Sequence, residues 1–478
     1  MNYRMISYIL GWILIFEAIF MAVPVITAVC FGESAVWWFL ATAAVCVVIG
    51  LLLTQIKKPQ NKKLFSREGF VIVSLSWIVL SVFGAFPFFL SGEIPSFIDA
   101  LFETVSGFTT TGASILSDVE SLSKSMLMWR SFTHWVGGMG VLVFIMAFVH
   151  LSGAQNMHIM KAESPGPSVS KLVPRVKTTA LLLYGIYFTL TLVEFVILLF
   201  GGLTPFEALN TAFATAGTGG FGIYNTSLGG FSTFVQIVVI VFMLLFSVNF
   251  NSYYFILKGK IRDALSLEVR VFFGIVIAST LIIAYNIMEN LSGFGQALLD
   301  SSFAVSSVIS TTGFSTVDFN NWPELSRTIL VLLMFVGACA GSTGGGMKVS
   351  RIIILFKNLG RELLVMIHPQ QVKKIKMDGH PVEDETVHSV SVYIVAYIAL
   401  IIVSIALISF DNHDLITNFT AVVSATNNIG PGLELVGPSA NFGFFSIFSK
   451  IVLIFDMLAG RLELFPMLLL FNPSMWKK

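Results

Sequence analysis

The stretch Ile309-Ser-Thr-Thr-Gly-Phe-Ser315 places three consecutive hydroxyl side chains before a glycine in an otherwise strongly apolar chain. The same phrase recurs as Phe108-Thr-Thr-Thr-Gly-Ala113, as Gly217-Thr-Gly-Gly-Phe221 and, more loosely, as Thr426-Asn-Asn-Ile-Gly-Pro431. The glycines at 112, 220, 313 and 430 are separated by 108, 93 and 117 residues. Such internal similarity predicts four structural repeats.

The composition is that of a membrane protein. Of the 478 residues, 55% are hydrophobic and 12% are charged, with a mean hydropathy of +0.85, whereas soluble domains carry about 25% charged residues. Apolar runs occupy residues 6–29, 35–53, 70–90, 180–200, 234–248, 271–287 and 390–410, and several reach the roughly 20 residues of a spanning helix. The first run lacks a small-residue cleavage site and exceeds a signal-peptide core, so we expect a retained helix.

Basic residues alternate with acidic or neutral loops along the chain. They cluster at 57–67, 161–177, 258–270, 357–376 and 477–478. Because cytoplasmic loops carry the excess of Lys and Arg, this pattern predicts that both termini are cytoplasmic and that the number of spans is even; we count ten. Cys30, Cys46 and Cys339 lack CxxC spacing, which argues against a disulfide framework or a zinc site.

Each glycine-containing loop follows a segment too short to cross a bilayer. Asp99, Glu207 and Asp300 each lie 13 residues before the loop glycine, and Thr417, preceded by Asp414, takes this place in the fourth repeat. Acidic and hydroxyl side chains stabilise the N-terminus of a helix, so each of these residues marks a helix start. We therefore predict an all-α fold in which an N-terminal helix pair (1–66) precedes four parallel repeats (67–160, 161–262, 263–376 and 377–478). Each repeat consists of a spanning helix, a re-entrant half-helix, a loop and a second spanning helix. The four repeats surround a central pore.

The four loops have the composition of a cation-coordinating backbone. Irregular backbone at membrane depth is tolerated only where it is buried in protein or lines a water-filled cavity. Rings of carbonyl oxygens replace the hydration shell of a cation, and glycine permits the backbone angles that this needs. An isolated Thr-Gly segment is more simply an ordinary turn, but four copies in equivalent positions favour a pore.

Five motifs give the chain a resemblance to the TrkH/KtrB family of bacterial potassium transport proteins, most closely to its TrkH branch. They are Trp129-Arg-Ser-Phe-Thr-His-Trp-Val-Gly-Gly-Met-Gly140, Phe213-Ala-Thr-Ala-Gly-Thr-Gly-Gly-Phe221, Ala338-Cys-Ala-Gly-Ser-Thr-Gly-Gly-Gly-Met-Lys348, Asn427-Asn-Ile-Gly-Pro-Gly432 and Gly460-Arg-Leu-Glu-Leu-Phe465. The resemblance covers nearly the whole chain. It implies potassium uptake across the bacterial inner membrane through a potassium-channel-like pseudo-tetramer with one filter glycine in each repeat.

The resemblance maps the potassium-binding selectivity filter onto one triplet in each loop. The filter residues are Thr110, Thr111, Gly112, Thr218, Gly219, Gly220, Thr311, Thr312, Gly313, Asn428, Ile429 and Gly430. In the second loop the filter glycine is either Gly219 or Gly220, and the 13-residue spacing favours Gly220. No repeat carries the Thr-Val-Gly-Tyr-Gly of tetrameric channels, so we expect weaker discrimination between cations. The fourth loop, with Asn428, Ile429 and Pro431, departs most from the others.

The glycine-rich segment 337–348 interrupts the second spanning helix of the third repeat. Each interior glycine costs a helix about 1 kcal/mol relative to alanine, so we expect a break. The segment is not a phosphate-binding loop, because it lacks an adjacent Gly-Lys-Ser/Thr and a preceding strand. It is either a flexible kink or, as the resemblance implies, an intramembrane gate below the filter. The gate residues are then Gly341, Ser342, Thr343, Gly344, Gly345, Gly346, Lys348 and Arg461.

Arg461 lies in an apolar helix, where a charge is expensive and usually faces a cavity or a partner. The resemblance implies that it projects into the pore near the gate; the alternative is an ion pair with Asp456 or Glu463. His134, Arg130 and Glu103 are interpreted as helix-packing or interfacial groups.

The resemblance also implies a homodimer and a cytosolic TrkA-type nucleotide-binding ring. No nucleotide-binding domain is present in this chain, so ATP, ADP or NAD would act only through that partner, with potassium as substrate and no cofactor. Residues 373–385 are a candidate docking segment or simply a solvated charge run. No nucleic-acid partner is expected.

Two alternatives to a gated potassium pore remain. An alternating-access symporter coupled to sodium or protons shares broken helices, although such proteins often have inverted repeats. An intramembrane enzyme would need convergent Ser/His/Asp or metal-ligand groups, which the spans lack in sequence.

Overall fold

The computed structural model describes residues 1–56, 66–138, 140, 176–291, 293–371 and 374–476. Most of the predicted basic clusters 57–67 and 161–177, the cluster 477–478, residue Lys373 and the last part of the predicted first repeat (141–160) lie outside these residues; Arg67 and Lys177 are described. The described chain is mostly helical, and its β-structure is a hairpin of β1 (Lys376–Met377) and β2 (His380–Pro381). This hairpin lies within the candidate docking segment.

The helices are numbered in chain order. They are α1 (Tyr3–Phe20), α2 (Ala22–Phe31), α3 (Val36–Ile56), α4 (Ser66–Ser91), α5 (Phe97–Phe108), α6 (Lys124–Gly138), α7 (Val176–Phe200), α8 (Pro205–Ala216), α9 (Thr233–Ser247), α10 (Phe250–Leu257), α11 (Ile261–Ala264), α12 (Leu267–Ile287), α13 (Phe294–Ile309), α14 (Glu324–Val336), α15 (Val349–Ile367), α16 (Asp384–Ile408), α17 (Leu415–Asn427), α18 (Ile447–Arg461), α19 (Phe465–Leu470) and α20 (Pro473–Trp476). Short 3₁₀ helices cover Met288–Asn290, Phe319–Asn321, Ser409–Asp411 and Glu434–Val436.

Six described helical stretches are long and apolar enough to cross a membrane: Tyr3–Phe31, Val36–Gln55, Arg67–Ser91, Leu181–Phe200, Leu267–Ile287 and Asp384–Asp411. A seventh is formed if α9 and α10, which meet at a bend of 92°, count as one span. The helices after the third and fourth loops are short, because α14 ends at the glycine-rich segment and α18 ends at Arg461. The total of ten spans stays a prediction.

The N-terminal helices pack tightly at two glycines. A methyl group added to Gly11 of α1 would lie 2.8 Å from the carbonyl oxygen of Gly50 in α3, and one added to Gly50 would lie 2.7 Å from that of Gly11. Small residues allow this close approach, which is typical of helix packing in membranes. Helices α1 and α3 also pack against α4, so the pair lies beside the first long helix of the first repeat.

The order of long helix, short helix, loop and helix occurs four times, with α5, α8, α13 and α17 as the short helices. In three of them the predicted residues, Asp99, Glu207 and Thr417, lie in the first helical turn, and the N-caps three residues earlier are Ser96, Thr204 and Asp414. The prediction for the third repeat is wrong, because α13 begins at Phe294 and Asp300 lies in its second turn. The earlier start reflects the apolar periodicity of residues 294–298, which extends the helix past the acid.

Candidate functional site: a ring of four loops

The four predicted filter triplets share one backbone conformation. The first residue of each triplet is left-handed, with φ of 57° at Thr110, 53° at Thr218, 59° at Thr311 and 55° at Asn428. The third residue is a glycine with positive φ at 112, 220, 313 and 430. Gly219 is not among the positive-φ residues, so Gly220 is the structural equivalent of the other three glycines.

Each short helix ends in the same hydrogen-bonded turn. The amide of the middle residue of each triplet donates to the carbonyl five residues earlier: Thr111 to Ser106 (2.8 Å), Gly219 to Ala214 (2.9 Å), Thr312 to Ser307 (2.9 Å) and Ile429 to Ser424 (3.0 Å). This is a Schellman-type ending, whose left-handed residue is usually glycine or asparagine. Threonine there is an outlier that costs about 1–3 kcal/mol, and such strain is concentrated at functional sites.

The four triplets close into a ring, which we call the loop ring (110–112, 218–220, 311–313 and 428–430). A methyl group added to Gly430 would lie 2.9 Å from the carbonyl oxygen of Thr111. Equivalent methyl groups on Gly112, Gly220 and Gly313 would overlap the carbonyl oxygens of Gly219, Thr312 and Ile429. Each glycine thus faces the middle carbonyl of the next triplet, in the order one, two, three, four and back to one. No other residue fits these positions without displacing a neighbouring loop.

A second ring of hydrogen bonds, the outer collar, joins the segments that follow the triplets. Its four links are Asn225 Nδ2 to Asp118 Oδ1 (2.8 Å), Leu228 N to Ser315 O (3.0 Å), Asn320 Nδ2 to Glu434 O (3.0 Å) and Phe442 N to Ser114 O (2.8 Å). These links join the loops in the same cyclic order as the loop ring. The collar therefore fixes the spacing of all four loops.

A buried ion pair connects the first two loops. Arg130 Nε lies 2.8 Å from Glu103 Oε1, with side-chain exposures of 2% and 0%. Glu103 also accepts hydrogen bonds from Ser114 Oγ and the amide of Ile115, which follow the first triplet. Arg130 donates to the carbonyl of Gly222 (3.1 Å) and lies over the ring of Phe221, which follows the second. The pair therefore positions both loops in addition to packing α5 against α6.

His134 of α6 makes a second connection between the same two loops. Its Nδ1 lies 2.7 Å from the carbonyl oxygen of Gly107, and its Nε2 accepts the amide hydrogen of Phe221 at 3.3 Å. A nitrogen that accepts a backbone N–H carries no proton, so these contacts define a neutral ring protonated on Nδ1. The histidine is fully buried.

Replacing His134 with alanine is expected to loosen both loops. The amide of Phe221 would lose its acceptor, at a cost of about 1–3 kcal/mol for a buried group, and the carbonyl of Gly107 would keep only its hydrogen bond from the amide of Thr110. We expect a lower melting temperature and a several-fold weaker discrimination between transported cations. Thermal unfolding and competitive cation uptake in liposomes measure both effects. His388→Ala, at an exposed position on α16, is the control; equal behaviour of the two variants would show that His134 does not position the loops.

The segment 337–348, which we call the inner loop, lies against the loop ring. Its two ends are joined, since the amide of Val349 donates to the carbonyl of Ala338 (3.2 Å) and Glu268 Oε1 accepts the amides of Ala340 and Ser350. Its tip contacts the third triplet, where the amide of Gly345 donates to Thr311 Oγ1 at 2.6 Å. The next amide, that of Gly346, donates to the carbonyl of Asn427 at 3.1 Å.

The inner loop has little room for side chains at its tip. A methyl group added to Gly344 would lie 2.8 Å from the carbonyl of Ser310, and one added to Gly345 would overlap the carbonyl of Asn427. Lys348 has a φ of 77° and donates to the carbonyl of Gly344, while Ser342 Oγ donates to Cys339 O at 2.7 Å. The predicted gate residues are thus folded together directly beside the ring.

Arg461 joins the inner loop to the first triplet. Its Nη1 donates to Thr343 O (2.9 Å) and Thr110 Oγ1 (3.2 Å), and its Nη2 donates to the carbonyls of Gly137 (2.5 Å) and Gly138 (2.8 Å). The two acids considered from sequence have other contacts. Asp456 accepts from Ser404 Oγ at 2.7 Å, and Glu463 forms an ion pair with Arg351. The guanidinium therefore spans the end of the ring against which the segment 337–348 lies.

The fourth triplet differs from the others in how its first side chain is used. Asn428 Nδ2 donates to Thr111 Oγ1 (3.0 Å) and to the carbonyl of Met457 in α18 (2.9 Å). Its side chain thus connects the fourth loop to the first. Asparagine adopts left-handed backbone more readily than threonine, so the atypical residue fits the shared conformation with less strain.

At the start of α8, Glu207 and Tyr224 are coupled outside the apolar spans. Burial disfavours the charge on Glu207, but hydrogen bonds from Tyr224 and from Thr204 outweigh it and lower the pKa of this carboxyl. The same hydrogen bond raises the pKa of Tyr224 to about 12. The described residues include no group of three His, Cys, Asp or Glu side chains that could hold a metal ion.

An apolar, mostly helical chain with several helices of spanning length belongs to the class of polytopic membrane proteins, and comparison with known proteins gives its family. The family model described as TrkH, cation transport protein, matches residues 37–478, and the chain belongs to this family. It is 36% identical over 494 residues to the Trk system potassium uptake protein TrkH of Escherichia coli K12, with all of both chains covered. It is 31% identical to TrkG of the same organism, over 99% of each chain.

A solved structure gives the same result. The crystal structure of the potassium transporter TrkH from Vibrio parahaemolyticus matches with a TM-score of 0.90 at 33% identity, covering all of both chains. The resemblance stated from the sequence is confirmed, and family membership places the chain among transport proteins rather than enzymes.

Proposed function

We propose that this protein takes up potassium ions across the bacterial inner membrane through an axis encircled by the four loops, as a channel-like pseudo-tetramer of four parallel repeats. The observation that carries the proposal is the cyclic contact of each loop glycine with the middle carbonyl of the next loop. Four equivalent backbone segments around one axis present rings of carbonyl oxygens, which replace the hydration shell of a cation. The relatives named as potassium uptake proteins indicate the ion.

The short helices add an electrostatic reason for cation preference. Helices α5, α8, α13 and α17 all end at the ring, each running directly into its triplet. The C-terminus of a helix carries roughly −0.5 elementary charge. Four such ends around one axis lower the energy of a cation there and disfavour anions.

Residues 337–348 and Arg461 form the gate in this proposal. Their contacts with Thr110, Thr311 and Asn427 put backbone and a fixed positive charge at the inner end of the ring. A cation leaving the ring on that side meets both. Displacement of the inner loop then opens the path.

We propose further that the protein works as a homodimer with both termini in the cytoplasm, and that a cytosolic TrkA-type nucleotide-binding ring docks on its basic inner loops. The positive charge of the basic loops and the resemblance stated from the sequence are the basis of these assignments, and nucleotides then act only through the partner. Within the described part of the basic surface, Lys357 Nζ donates to the carbonyl of Lys376 at 2.7 Å, which connects α15 to the β-hairpin.

The substitution Gly313→Ser tests the proposed function. A side chain at φ 84° is strained, and its Cβ overlaps the carbonyl of Ile429, so the third and fourth loops must separate. We expect wild-type protein in liposomes to transport potassium and rubidium in preference to sodium and lithium. In the variant, the ratio of potassium to sodium transport should fall by at least about tenfold, which corresponds to about 1.4 kcal/mol.

Gly274→Ser on α12 is the matched control, because no atom lies within 4 Å of a methyl group added there. Unchanged selectivity in folded Gly313→Ser protein would refute the filter assignment. Potassium flux that follows an imposed sodium or proton gradient would favour the symporter.

A further inference from the structure

Helix α9 and helix α10 are separated by a sharp break. They meet at 92° across Val248 and Asn249, and Val248 is extended with ψ of 147°. No proline lies near the break. Sharp bends in helices have identifiable causes, one of which is the insertion of another group into the hydrogen-bond ladder. Here the inserted groups belong to the inner loop.

The inner loop replaces the hydrogen bonds that a continuous helix would make. In such a helix the amide of Phe250 would donate to Phe246 O. Instead, Phe250 N donates to Gly341 O (3.0 Å), and Phe246 O accepts the amide (3.3 Å) and hydroxyl (3.1 Å) of Thr343. The two halves of one missing helical bond are thus satisfied by two residues of the inner loop.

The next rung of the ladder is replaced in the same way. The carbonyl of Ser247, which would accept the amide of Asn251, accepts the amide of Cys339 at 3.0 Å. The amide of Asn251 donates to Asn249 Oδ1 at 2.9 Å, so Asn249 is the N-cap of α10. In the broken arrangement, the backbone groups of both rungs are therefore hydrogen-bonded only while the inner loop is docked and Asn249 caps the second helix.

A docked inner loop and a continuous helix through α9 and α10 exclude each other. Buried backbone groups at membrane depth must be paired, because each unpaired group costs several kcal/mol. If the inner loop moves away, Phe246 O, Ser247 O and Phe250 N lose their partners. Joining α9 and α10 into one helix restores both rungs, since 246 pairs with 250 and 247 with 251.

We propose that Asn249 is a positioning residue for the gate: it caps α10, keeps the helix broken and so maintains the docking site for residues 337–348. Straightening of α9 and α10 then accompanies release of the inner loop. The proposal rests on the gating role assigned above. Helix α10 is followed by Lys258, Gly259 and α11, so this basic segment is joined directly to the second half of the broken helix.

The substitutions Asn249→Ala and Asn249→Ser separate capping from packing. Alanine removes the cap and favours a continuous helix, which together shift the equilibrium by about tenfold. Serine is nearly as good a cap as asparagine and a poorer helix former than alanine. We expect Asn249→Ala to raise potassium flux in liposomes about tenfold with an unchanged potassium to sodium ratio, and Asn249→Ser to stay within about twofold of wild type.

The distance between two spin labels shows whether α9 and α10 are bent or continuous. Spin labels at Val241 and Ile256, which are 46% and 51% exposed, flank the break in a Cys30→Ser background. A continuous helix would separate these positions by roughly 22 Å along its axis, and the bent pair places them closer. We expect a new long-distance population in Asn249→Ala and its absence in Asn249→Ser.

The proposal would be overturned if the potassium flux of Asn249→Ala equalled that of the wild-type protein, or if the flux rose without the long-distance population. Gly313→Ser, assayed in parallel, distinguishes this from failure of the proposed function, because it alters selectivity whether or not Asn249 controls the gate.

Discussion

Arg461→Gln is expected to raise basal potassium flux by about tenfold to a hundredfold. The guanidinium donates to Thr343 O in the inner loop, to Thr110 Oγ1 in the ring and to two carbonyls at the end of α6. Hydrogen bonds from a charged group contribute about 1.5–3 kcal/mol each. Glutamine is shorter and neutral, so the inner loop loses its connection across the axis and the path loses a repelling charge.

Uptake of rubidium into liposomes in the absence of any partner protein measures this effect. Arg461→Lys retains the charge but lacks the planar fork that contacts several acceptors at once. If Arg461→Lys shows the raised flux of Arg461→Gln, the hydrogen bonds maintain the closed state. If its flux equals that of the wild type, the positive charge maintains it. Arg327→Gln, whose guanidinium pairs with Glu324 and Glu434 on the side of the outer collar, is the control. Wild-type flux in folded Arg461→Gln would remove Arg461 from the gate.

The sequence predicted the loop ring because its backbone constrains residue type. A positive φ directly beside the backbone of the neighbouring loop admits only glycine, and this leaves the same residue at 112, 220, 313 and 430. Even the choice between Gly219 and Gly220 followed from spacing. Asp300 shows the limit of that reasoning: an acid 13 residues before the glycine matched the repeat, but the apolar residues before it let α13 begin at Phe294.

The docking of the inner loop could not be predicted from sequence. Apart from the hydroxyl of Thr343, its contacts with Phe246, Ser247 and Phe250 use backbone groups, which give no sign in the residue types. The signal that was available is the pair Asn249 and Asn251 directly after an apolar run, since asparagine favours N-caps over helix interiors. Neither this cap nor the contacts of Glu268 were predicted, and the contacts of Glu268 depend on which amides the fold brings to it.

Glu103 and Arg130 were interpreted from sequence as packing groups, and the structure adds their contacts with two loops of the ring. A carboxylate and a guanidinium 27 positions apart give no sign of pairing until α5 and α6 are placed together. The buried pair also explains how segments with little side chain of their own keep a fixed position: each partner uses its remaining hydrogen-bonding atoms on backbone that follows a triplet.

Glu103→Ala is therefore expected to lower the free energy of unfolding by about 3–5 kcal/mol, because it leaves the Arg130 charge buried without its partner. Ser114 and Ile115 also lose their acceptor, so the surviving protein should discriminate less between potassium and sodium. Thermal unfolding in detergent and competitive uptake in liposomes measure the two effects.

The double variant Glu103→Leu with Arg130→Met tests whether the pair provides stability or position. Replacing a buried pair with apolar residues of similar size is often neutral for stability, so we expect the melting temperature to recover relative to Glu103→Ala. Selectivity should stay low, because the hydrogen bonds to Ile115 N and Gly222 O are not restored. Recovery of both properties would mean that the loops keep their position without these contacts, and that the outer collar alone sets the geometry of the ring.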